Sequence, residues 1–367
     1  MSGRKIAIRK HSFNKDTVFL TQEIRGLLVS VSWPIMDHQL FRKHLEFVTL
    51  DVFTSEPFKG NPLAVVKVPR DFTLNHDRKQ LIAREFNFSE TVFLHGPEDG
   101  SSTWKIGIFT TTTELPFAGH PTIGTICHIG SSMESPTQEL TLLTKAGPIS
   151  AHYDSAKKVA EAEIPHDVKV HTTVVDWGQV VGSQRSLPDV SDSEGRNIFE
   201  QWIYSGPGQP RATFPVVSIV KGMTFILVDF PSHYFLETIE PSHEVISSGG
   251  LKFELDPIWS PSFITPYYYV AGSCGADGIK RIEARMIDSE MGEDPATGSA
   301  ACTLSAYLAL QNGKPGMTYS YEIEQGTYMG RDSTIDVKVT LDGSGIKVKQ
   351  VLLGGAAVLI TKGTIIV

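Results

Sequence analysis

Cysteine is scarce in this sequence: Cys127, Cys274 and Cys302 are the only cysteines among 367 residues. Their number is odd and their spacings are wide, which argues against a disulfide framework and against a zinc site. We therefore expect a reducing compartment, most simply the cytoplasm, and no metal. Cys127 and Cys302 lie in segments of small apolar residues, where buried thiols are common and inert, so we assign both to core packing.

Long apolar runs and clusters of positive charge are also missing. No stretch approaches the ~20 apolar residues that are needed to cross a bilayer. The formal net charge of −8 gives no attraction to phosphate backbones. The sequence therefore predicts a globular protein that binds neither membranes nor nucleic acids. Its length and its 41% hydrophobic content are sufficient for two domains, each with a core of its own.

The first 45 residues differ from the rest of the chain. Residues 1–15 carry five basic side chains and no acidic one, a composition that also occurs in organelle transit peptides. Their Ser and Arg content is low for such a peptide, and Met36 lies shortly before the first convincing strand. We therefore favour a poorly ordered extension, or a start that lies further along the chain, over a targeting segment.

Most of the remaining chain is rich in β-branched and alternating apolar residues, which predict strands. An amphipathic helix is predicted over residues 73–86, and the polar stretch 182–212 is interpreted as a surface insertion. The predicted strands cover 46–53, 63–68, 92–94, 104–109, 139–144, 148–154, 159–164, 214–220, 224–230, 281–287, 334–341, 345–352, 356–360 and 364–367. Glycine turns are expected between the last four strands.

Two segments have the same shape. Residues 115–130 (LPFAGHPTIGTICHIG) and 293–310 (EDPATGSAACTLSAYLAL) each contain a Pro/Gly turn followed by a helix of small residues. We interpret the pair as a degenerate internal duplication. The economical picture is an α+β fold, dominated by strands, in which each of two lobes wraps one central helix.

The starts of these two helices are candidate anion sites. The first backbone N–H groups of a helix have no intrahelical partner, and the helix dipole favours negative charge there. If the starts at 119–122 and 298–300 face each other, they form a clamp for a carboxylate at a lobe interface. Each start taken singly is better explained as a simple helix cap, and only the pair together favours a ligand site.

Three titratable residues are candidates for the chemistry. Glu90, at a predicted loop-to-strand junction, is either a general acid–base group of raised pKa or a solvated carboxylate at a strand edge. His120 either shuttles protons or satisfies backbone groups of its loop. Asp294 either binds the substrate or orients His120, or it complements the dipole of the following helix.

Five ordered motifs resemble the phenazine-biosynthesis (PhzF-like) family, and together they extend from about residue 46 to the C-terminal region. Five such matches in the same order are highly specific. The motifs are FTSEPFKGNPLAVV (53–66), IAREFNFSETVFL (82–94), ELPFAGHPTIGT (114–125), GEDPATGSAA (292–301) and QGTYMGR (325–331).

The resemblance implies a diaminopimelate-epimerase-like fold. In that fold two pseudo-symmetric lobes each form a β-barrel-like sheet around a central helix, and the terminal strand returns to the first lobe. We therefore predict that residues 1–45 are an extension, that 46–145 with 353–367 form the first lobe, and that 146–352 form the second lobe.

The resemblance also implies site residues. The glutamate of the SET motif is the family's acid–base residue and corresponds to Glu90. The histidine of GHPT and the aspartate of EDPATGS, His120 and Asp294, line the substrate pocket. Backbone amides at the helix starts match contacts to a substrate carboxylate. The predicted substrate-binding residues are Asn61, Gly119, Pro121, Thr122, Gly298, Ser299 and Ala300.

The related epimerases use two cysteines at mirror-related helix starts, where this sequence has Gly119 and Gly298. A two-base racemisation therefore lacks its bases, and a single carboxyl that moves a proton along one face of the substrate is the more natural chemistry. To donate a proton near neutral pH, Glu90 needs a pKa raised by burial. Residues 330–333 read GRDS where the family often has GRPS, so no role is assigned to Arg331.

The leading hypothesis is a homodimeric isomerase, without a metal or another cofactor, that acts on a small carboxylate. One alternative is an epimerase or racemase with bases other than cysteine, for instance Glu90 opposite Asp294. The other is a non-catalytic protein that binds metabolites and has kept the pocket.

Overall fold

Strands and short helices alternate in the computed structural model, and the strands dominate. The structure describes residues 9–11, 17–24, 27–34, 43–97, 101–133, 137–184, 186–187, 213–241, 255–260, 262–288 and 292–367. Residues 1–45 with 364–367 form one unit, and residues 46–363 form the other.

The first unit contains an antiparallel sheet of three strands. These are β1 (Arg9–His11), β2 (Thr17–Ile24) and β3 (Leu27–Pro34), with β2 in the middle. None of these strands was predicted from the sequence. Much of this range lies outside the described residues, so the predicted poor order of the extension stays a prediction.

The strands β4 to β20 are hydrogen-bonded into one closed barrel. Every strand predicted before residue 345 overlaps one of them. Their bounds are β4 His44–Val52, β5 Asn61–Val68, β6 Thr91–His95, β7 Thr103–Phe109, β8 Glu114–Leu115, β9 Thr137–Thr144, β10 Gly147–Asp154, β11 Val159–Glu163, β12 Lys169–Asp176, β13 Thr213–Val220, β14 Met223–Asp229, β15 Phe263–Cys274, β16 Ile279–Asp288, β17 Gly292–Asp294, β18 Thr318–Gln325, β19 Ser333–Leu341 and β20 Val348–Ile366.

Five α-helices are described: α1 His76–Phe86, α2 Gly119–Gly130, α3 Trp177–Ser183, α4 His233–Thr238 and α5 Gly298–Asn312. Two single 3₁₀ turns lie at Pro257–Trp259 and Thr327–Met329. Helix α1 begins three residues later than predicted because the Asn75 side chain accepts a hydrogen bond from the Arg78 N–H and caps the helix there. None of the described helices is both long and apolar enough to cross a membrane.

The order and direction of the strand pairings repeat along the chain. The pairs β4–β5 (antiparallel), β5–β6 (parallel) and β6–β7 (antiparallel) have counterparts in β13–β14, β14–β15 and β15–β16. Strand β7 then pairs with the short β8 and, in parallel, with β9, as β16 pairs with β17 and β18. This repeat agrees with the inferred duplication. The division into lobes at residue 145 stays a prediction.

The helices of small residues occupy equivalent places in this repeat. Helix α2 follows β8 and packs against β5, β6, β9, β10 and β11, whereas α5 follows β17 and packs against β13, β14, β18 and β19. Every residue of α2 except His128 is buried. Small side chains are required because strands approach each helix on several sides. Cys127 and Cys302 are buried inside these helices, which confirms their assignment to the core.

The prediction of separate strands between residues 345 and 367 is wrong. Strand β20 runs without a turn through Gly354 and Gly355. Gly354 pairs with residues of both β11 and β19, and a Cβ added to Gly355 would lie 2.4 Å from Phe53 Cδ1. These glycines allow close approach of neighbouring groups; they do not turn the chain. Most of the predicted insertion, 182–212, lies outside the described residues.

Candidate functional site

The starts of α2 and α5 meet in the interior of the fold. A Cβ added to Gly119 would lie 3.0 Å from the Cα atom of Gly298, and one added to Gly298 would lie 3.2 Å from the Cα atom of Gly119. The two backbones are therefore in contact, as expected if the helix starts face each other. Their role in substrate binding stays a prediction.

Neither helix start is capped by a side chain. The N-cap residues are Ala118 and Thr297, and the first intrahelical hydrogen bonds are donated by the N–H groups of Thr122 and Ala301. The N–H groups of residues 119, 120 and 298–300 consequently have no partner within the described part of the chain; Pro121 has none to offer. The dipoles of both helices add positive potential at these donors, so the junction is suited to an anion.

Glu90 lies directly before β6 and beside the start of α2. Its side chain is 16% exposed, and its Oε2 atom is 3.6 Å from Nε2 of His120. Burial, and to a smaller extent the negative charge of Asp294, raise the pKa of Glu90 from 4.5 to about 7, against a hydrogen bond with Ser89 that lowers it. The carboxyl is therefore divided between its acid and base forms near neutral pH.

His120 is buried and neutral. Burial lowers the pKa of its imidazole to about 3, against the effect of a hydrogen bond with the Pro62 backbone. Proline has no N–H, so its carbonyl oxygen must accept this bond, and Nε2 has no hydrogen-bond partner among the described residues. The proton is therefore on Nδ1 and Nε2 carries a lone pair. This lone pair lies 3.6 Å from Glu90 Oε2, slightly beyond hydrogen-bond distance.

The Asp294 carboxylate has partners for both of its oxygen atoms. Oδ1 accepts a hydrogen bond from Asn61 Nδ2 (2.8 Å), and Oδ2 accepts one from the Thr297 hydroxyl (2.6 Å). Burial raises the pKa of Asp294 to about 6, while the hydrogen bonds from Thr297 and Asn61 oppose the rise. The structure thus brings Glu90, His120, Asp294 and Asn61 to the junction of the two helices.

Residues 50–363 match the sequence pattern of the family described as phenazine biosynthesis-like protein. The chain belongs to this family. It is 30% identical over 323 residues to the trans-2,3-dihydro-3-hydroxyanthranilate isomerase of Pseudomonas chlororaphis, an alignment that covers 87% of this chain and 99% of that protein. The prediction of an isomerase of the PhzF-like kind is confirmed at the level of the family.

Solved structures confirm the fold class. The phenazine biosynthesis protein of the PhzF family from Bacillus anthracis superposes with a TM-score of 0.65 at 21% identity, over 89% of this chain and 100% of that one. A hydroxyproline epimerase from Agrobacterium vitis superposes with a TM-score of 0.55 at 13% identity, over 89% of this chain and 94% of that one. At these identities, both similarities concern the fold alone.

Gln325 is a residue of the phenazine biosynthesis-like motifs whose place in the site was missed. Its Nε2 donates to the Asp294 carbonyl oxygen (2.8 Å) and to the Thr297 hydroxyl (3.0 Å). Its Oε1 accepts from the Thr297 N–H (3.1 Å) and from the Tyr267 hydroxyl (3.0 Å). This buried amide holds the loop that ends at the start of α5. Gln325 belongs to the QG motif, but the sequence alone does not reveal its four hydrogen bonds.

Arg331 also has a definite place in this member of the phenazine biosynthesis-like family. Its Nε donates to the Gly60 carbonyl oxygen (2.8 Å), and its Nη2 is 2.6 Å from Asp51 Oδ1. Gly60 has a φ of +65°, and a Cβ there would lie 2.3 Å from the Val52 carbonyl oxygen, so the turn requires glycine. Arg331 therefore stabilises the turn that places Asn61 within hydrogen-bond distance of Asp294.

The other predicted binding residues lie in the first turns of the two helices. Pro121, Thr122, Gly298 and Ala300 are buried, and Ser299 is half-buried. The Thr122 hydroxyl donates to the Ala118 carbonyl oxygen at 2.8 Å, so this side chain stabilises its own helix. Their contacts with a ligand stay predictions.

The raised pKa of Glu90 makes a prediction about stability. Between pH 4.5 and about 7 the folded chain keeps a proton on Glu90 that the unfolded chain has lost, so the free energy of unfolding falls as pH rises. The stabilising contribution is complete below pH 4.5 and is lost as pH passes through about 7. Glu90→Gln, which is neutral at every pH, should gain on the order of 3 kcal/mol relative to wild type by pH 8.

Urea unfolding of both proteins at pH 4.5 and pH 8 measures this difference. The difference in unfolding free energy between Glu90→Gln and wild type should be larger at pH 8 than at pH 4.5. A difference that does not change with pH would show that Glu90 has an ordinary pKa.

Proposed function

We propose that this chain is a cofactor-independent isomerase that moves a proton within a small carboxylate, with Glu90 as the acid–base group. The observation that carries the proposal is the setting of Glu90. Its carboxyl has a pKa of about 7 and faces the lone pair of His120 at 3.6 Å. It also lies beside two helix starts whose amides are uncapped. A group with a pKa near the working pH is the most effective proton carrier.

The proposed reaction has two steps. The substrate carboxylate accepts hydrogen bonds from the uncapped amides of α2 and α5, which fixes the carbon skeleton next to Glu90. The ionised Glu90 removes a proton from one carbon, and the electron pair left behind delocalises toward a second carbon. The protonated Glu90, in contact with His120, then returns the proton to the second carbon on the same face.

Two features favour this reaction over epimerisation. A thiol side chain at Gly119 or Gly298 would require its neighbours to move, because even a Cβ atom at either position would lie 3.0 Å from the nearest one. The remaining carboxylate, Asp294, has both oxygens occupied by hydrogen bonds from Asn61 and Thr297. These bonds oppose the rise in the pKa of Asp294 that burial causes. Because both oxygens are held by groups of its own site, we do not assign Asp294 as a second base.

The geometry of the site and the names of the relatives support a substrate class. Two opposed sets of amides fit one carboxylate, and a buried carboxyl near a neutral imidazole fits a weakly acidic C–H next to a conjugated system. A relative of this chain is named for a cyclic hydroxy amino acid, dihydro-hydroxyanthranilate. We propose cyclic or amino-acid-like carboxylates as substrates. The homodimer and the cytoplasmic location stay predictions.

Hydrogen exchange in heavy water tests the function. We expect at least one unsaturated cyclic amino carboxylate from a panel to change its double-bond position, with solvent deuterium at the reprotonated carbon in the fraction of turnovers in which the Glu90 proton exchanges with solvent before it is returned. Mass spectrometry measures the deuterium, and NMR locates it. The same protein with Glu85→Gln, an exposed position on α1, is the matched control and should retain the activity.

Other outcomes identify the alternatives. Deuterium that enters with inversion at a stereocentre, without movement of a double bond, would favour an epimerase. Tight binding of the panel carboxylates with no movement of a double bond and no exchange at any carbon would favour a binding protein. Either outcome contradicts the proposed isomerisation.

A further inference from the structure

The short strand that carries Asp294 is held by a buried ion pair. Strand β17 pairs with β16 through residues 292–294, and Glu293 lies opposite Ile287. The side chain of Arg285, from β16, is 5% exposed, and that of Glu293 is 8% exposed. Arg285 Nε donates to Glu293 Oε1 and Nη2 donates to Glu293 Oε2, both at 2.8 Å. Two parallel hydrogen bonds fix the orientation of a carboxylate as well as its distance.

The direction of the Asp294 side chain depends on that of Glu293. Consecutive side chains of a strand point to opposite faces of the sheet. Glu293 lies on the face that it shares with Arg285, so Asp294 lies on the other face, where Asn61 Nδ2 donates to it at 2.8 Å. A shift of one residue in this pairing would turn Asp294 away from Asn61. Holding Glu293 therefore holds the direction of Asp294.

The other contacts of Arg285 reach two further parts of the chain. Its Nη1 donates to the carbonyl oxygens of Leu236 (2.8 Å) and Ile239 (2.6 Å), at the end of α4. The guanidinium carbon lies 4.8 Å from the centre of the Tyr328 ring. Tyr328 is in the 3₁₀ turn that follows Gln325, the amide that holds the loop before α5. Arg285 thus connects β17, the end of α4 and this turn.

Stability alone is a weak explanation for this ion pair. Moving a guanidinium and a carboxylate out of water is costly, and apolar residues of similar volume often stabilise a core as well or better. An apolar pair, however, does not fix the direction of a neighbouring side chain in the way that two parallel hydrogen bonds do. The geometry of the Arg285–Glu293 pair is therefore better explained by the position that it gives to Asp294.

We propose that Arg285 and Glu293 are positioning residues that hold Asp294 and the start of α5 in the geometry that the isomerisation requires. The inference rests on the proposed function. Asp294 lies four residues before Gly298, the first residue of α5, so a displacement of β17 also moves the uncapped amides of that helix. Both residues act through Asp294 and α5, and neither is assigned a contact with the substrate.

Two conservative variants of the full chain test the proposal through turnover. Arg285→Lys keeps the positive charge but loses the two-point contact, and Glu293→Gln keeps the shape but loses one of the two acceptors. We expect kcat to fall in each, by up to about 10²-fold, because a small misplacement of groups at the site is sufficient for such a loss. Arg281→Lys is the matched control, since Arg281 lies on the same strand in an exposed pair with Asp277, and it should keep the wild-type kcat.

A second readout needs no substrate. Carbon-13 NMR of protein labelled at the glutamate carboxyls follows the titration of Glu90, whose signal is identified by its loss in Glu90→Gln. Burial and the charge of Asp294 raise the pKa of Glu90, and a displaced β17 weakens both effects. The titration midpoint should therefore move to lower pH in Arg285→Lys and stay in place in Arg281→Lys.

The two readouts separate this inference from the proposed function. If the wild-type protein isomerises no carboxylate, the proposed function fails, while the midpoint of Glu90 still tests the positioning. An unchanged midpoint and an unchanged kcat in folded Arg285→Lys would overturn the inference. Loss of the fold in both Arg285→Lys and Glu293→Gln, seen by urea unfolding, would assign the pair to stability and would overturn it as well.

Discussion

Glu90→Gln is expected to reduce turnover by roughly 10²- to 10⁴-fold, the usual contribution of a positioned acid–base group. The amide has nearly the shape of the carboxyl but cannot exchange a proton, so the substrate should still bind to the helix amides with little change in Kd. Steady-state rates give kcat, and isothermal titration calorimetry gives Kd. A large loss of kcat with an unchanged Kd identifies a group that acts in the transition state.

A substitution of Glu85, on α1, provides the control for this result. Glu85→Gln makes the same chemical change at an exposed position and should leave both kcat and Kd unchanged. Turnover of Glu90→Gln equal to wild type would remove Glu90 from the mechanism. A matching loss in Glu85→Gln would show a general effect of charge.

Gly119→Ala should have the second largest effect. The added methyl group would lie 3.0 Å from Gly298 Cα, 3.2 Å from Gly298 C and 3.2 Å from Leu353 Cδ2. Two of these three neighbours are backbone atoms of the other helix start, which cannot rotate away. The helix starts must therefore separate. We expect a loss of about 1–3 kcal/mol of unfolding free energy and a raised KM, because the two sets of amides no longer fit one carboxylate.

Gly343→Ala is the matched control for this substitution. Its added methyl group meets no atom within 4 Å, and the backbone there does not require glycine. Urea unfolding and substrate titration of the two variants should differ clearly. An unchanged KM in Gly119→Ala would mean that the contact between the helix starts does not shape the binding site.

The helices at the site could be predicted from sequence because their composition is unusual. Glycine, alanine and threonine in a run with few charges indicate a helix enclosed on all sides, and α2 and α5 are such helices. Glu90 lies 29 residues before the start of α2, so only the resemblance to the PhzF-like family placed it at the site. Asp294 could be placed from the sequence because it lies four residues before α5 begins. Local sequence is sufficient where the structure is local.

Long-range contacts could not be predicted in the same way. The four hydrogen bonds of Gln325 join residues that are far apart in the chain, and no residue spacing in the sequence predicts them. Glycine in β20 was interpreted as turn chemistry, whereas Gly355 is required because Phe53 lies against the strand. A glycine that allows a turn cannot be distinguished, from sequence alone, from a glycine that leaves space for a neighbouring side chain.

Strand β20 has a consequence for how the protein is made. It lies between β19 and β4 in the barrel and also pairs with β11. Strand β4 begins at His44 and β20 at Val348, so β4, the first strand of the barrel, emerges from the ribosome long before its partner β20 has been translated. Its unpaired edge is open to association with other nascent chains in the interval. Closure between strands so distant in sequence also makes folding slow, so rapid synthesis at high temperature should favour aggregates over active enzyme.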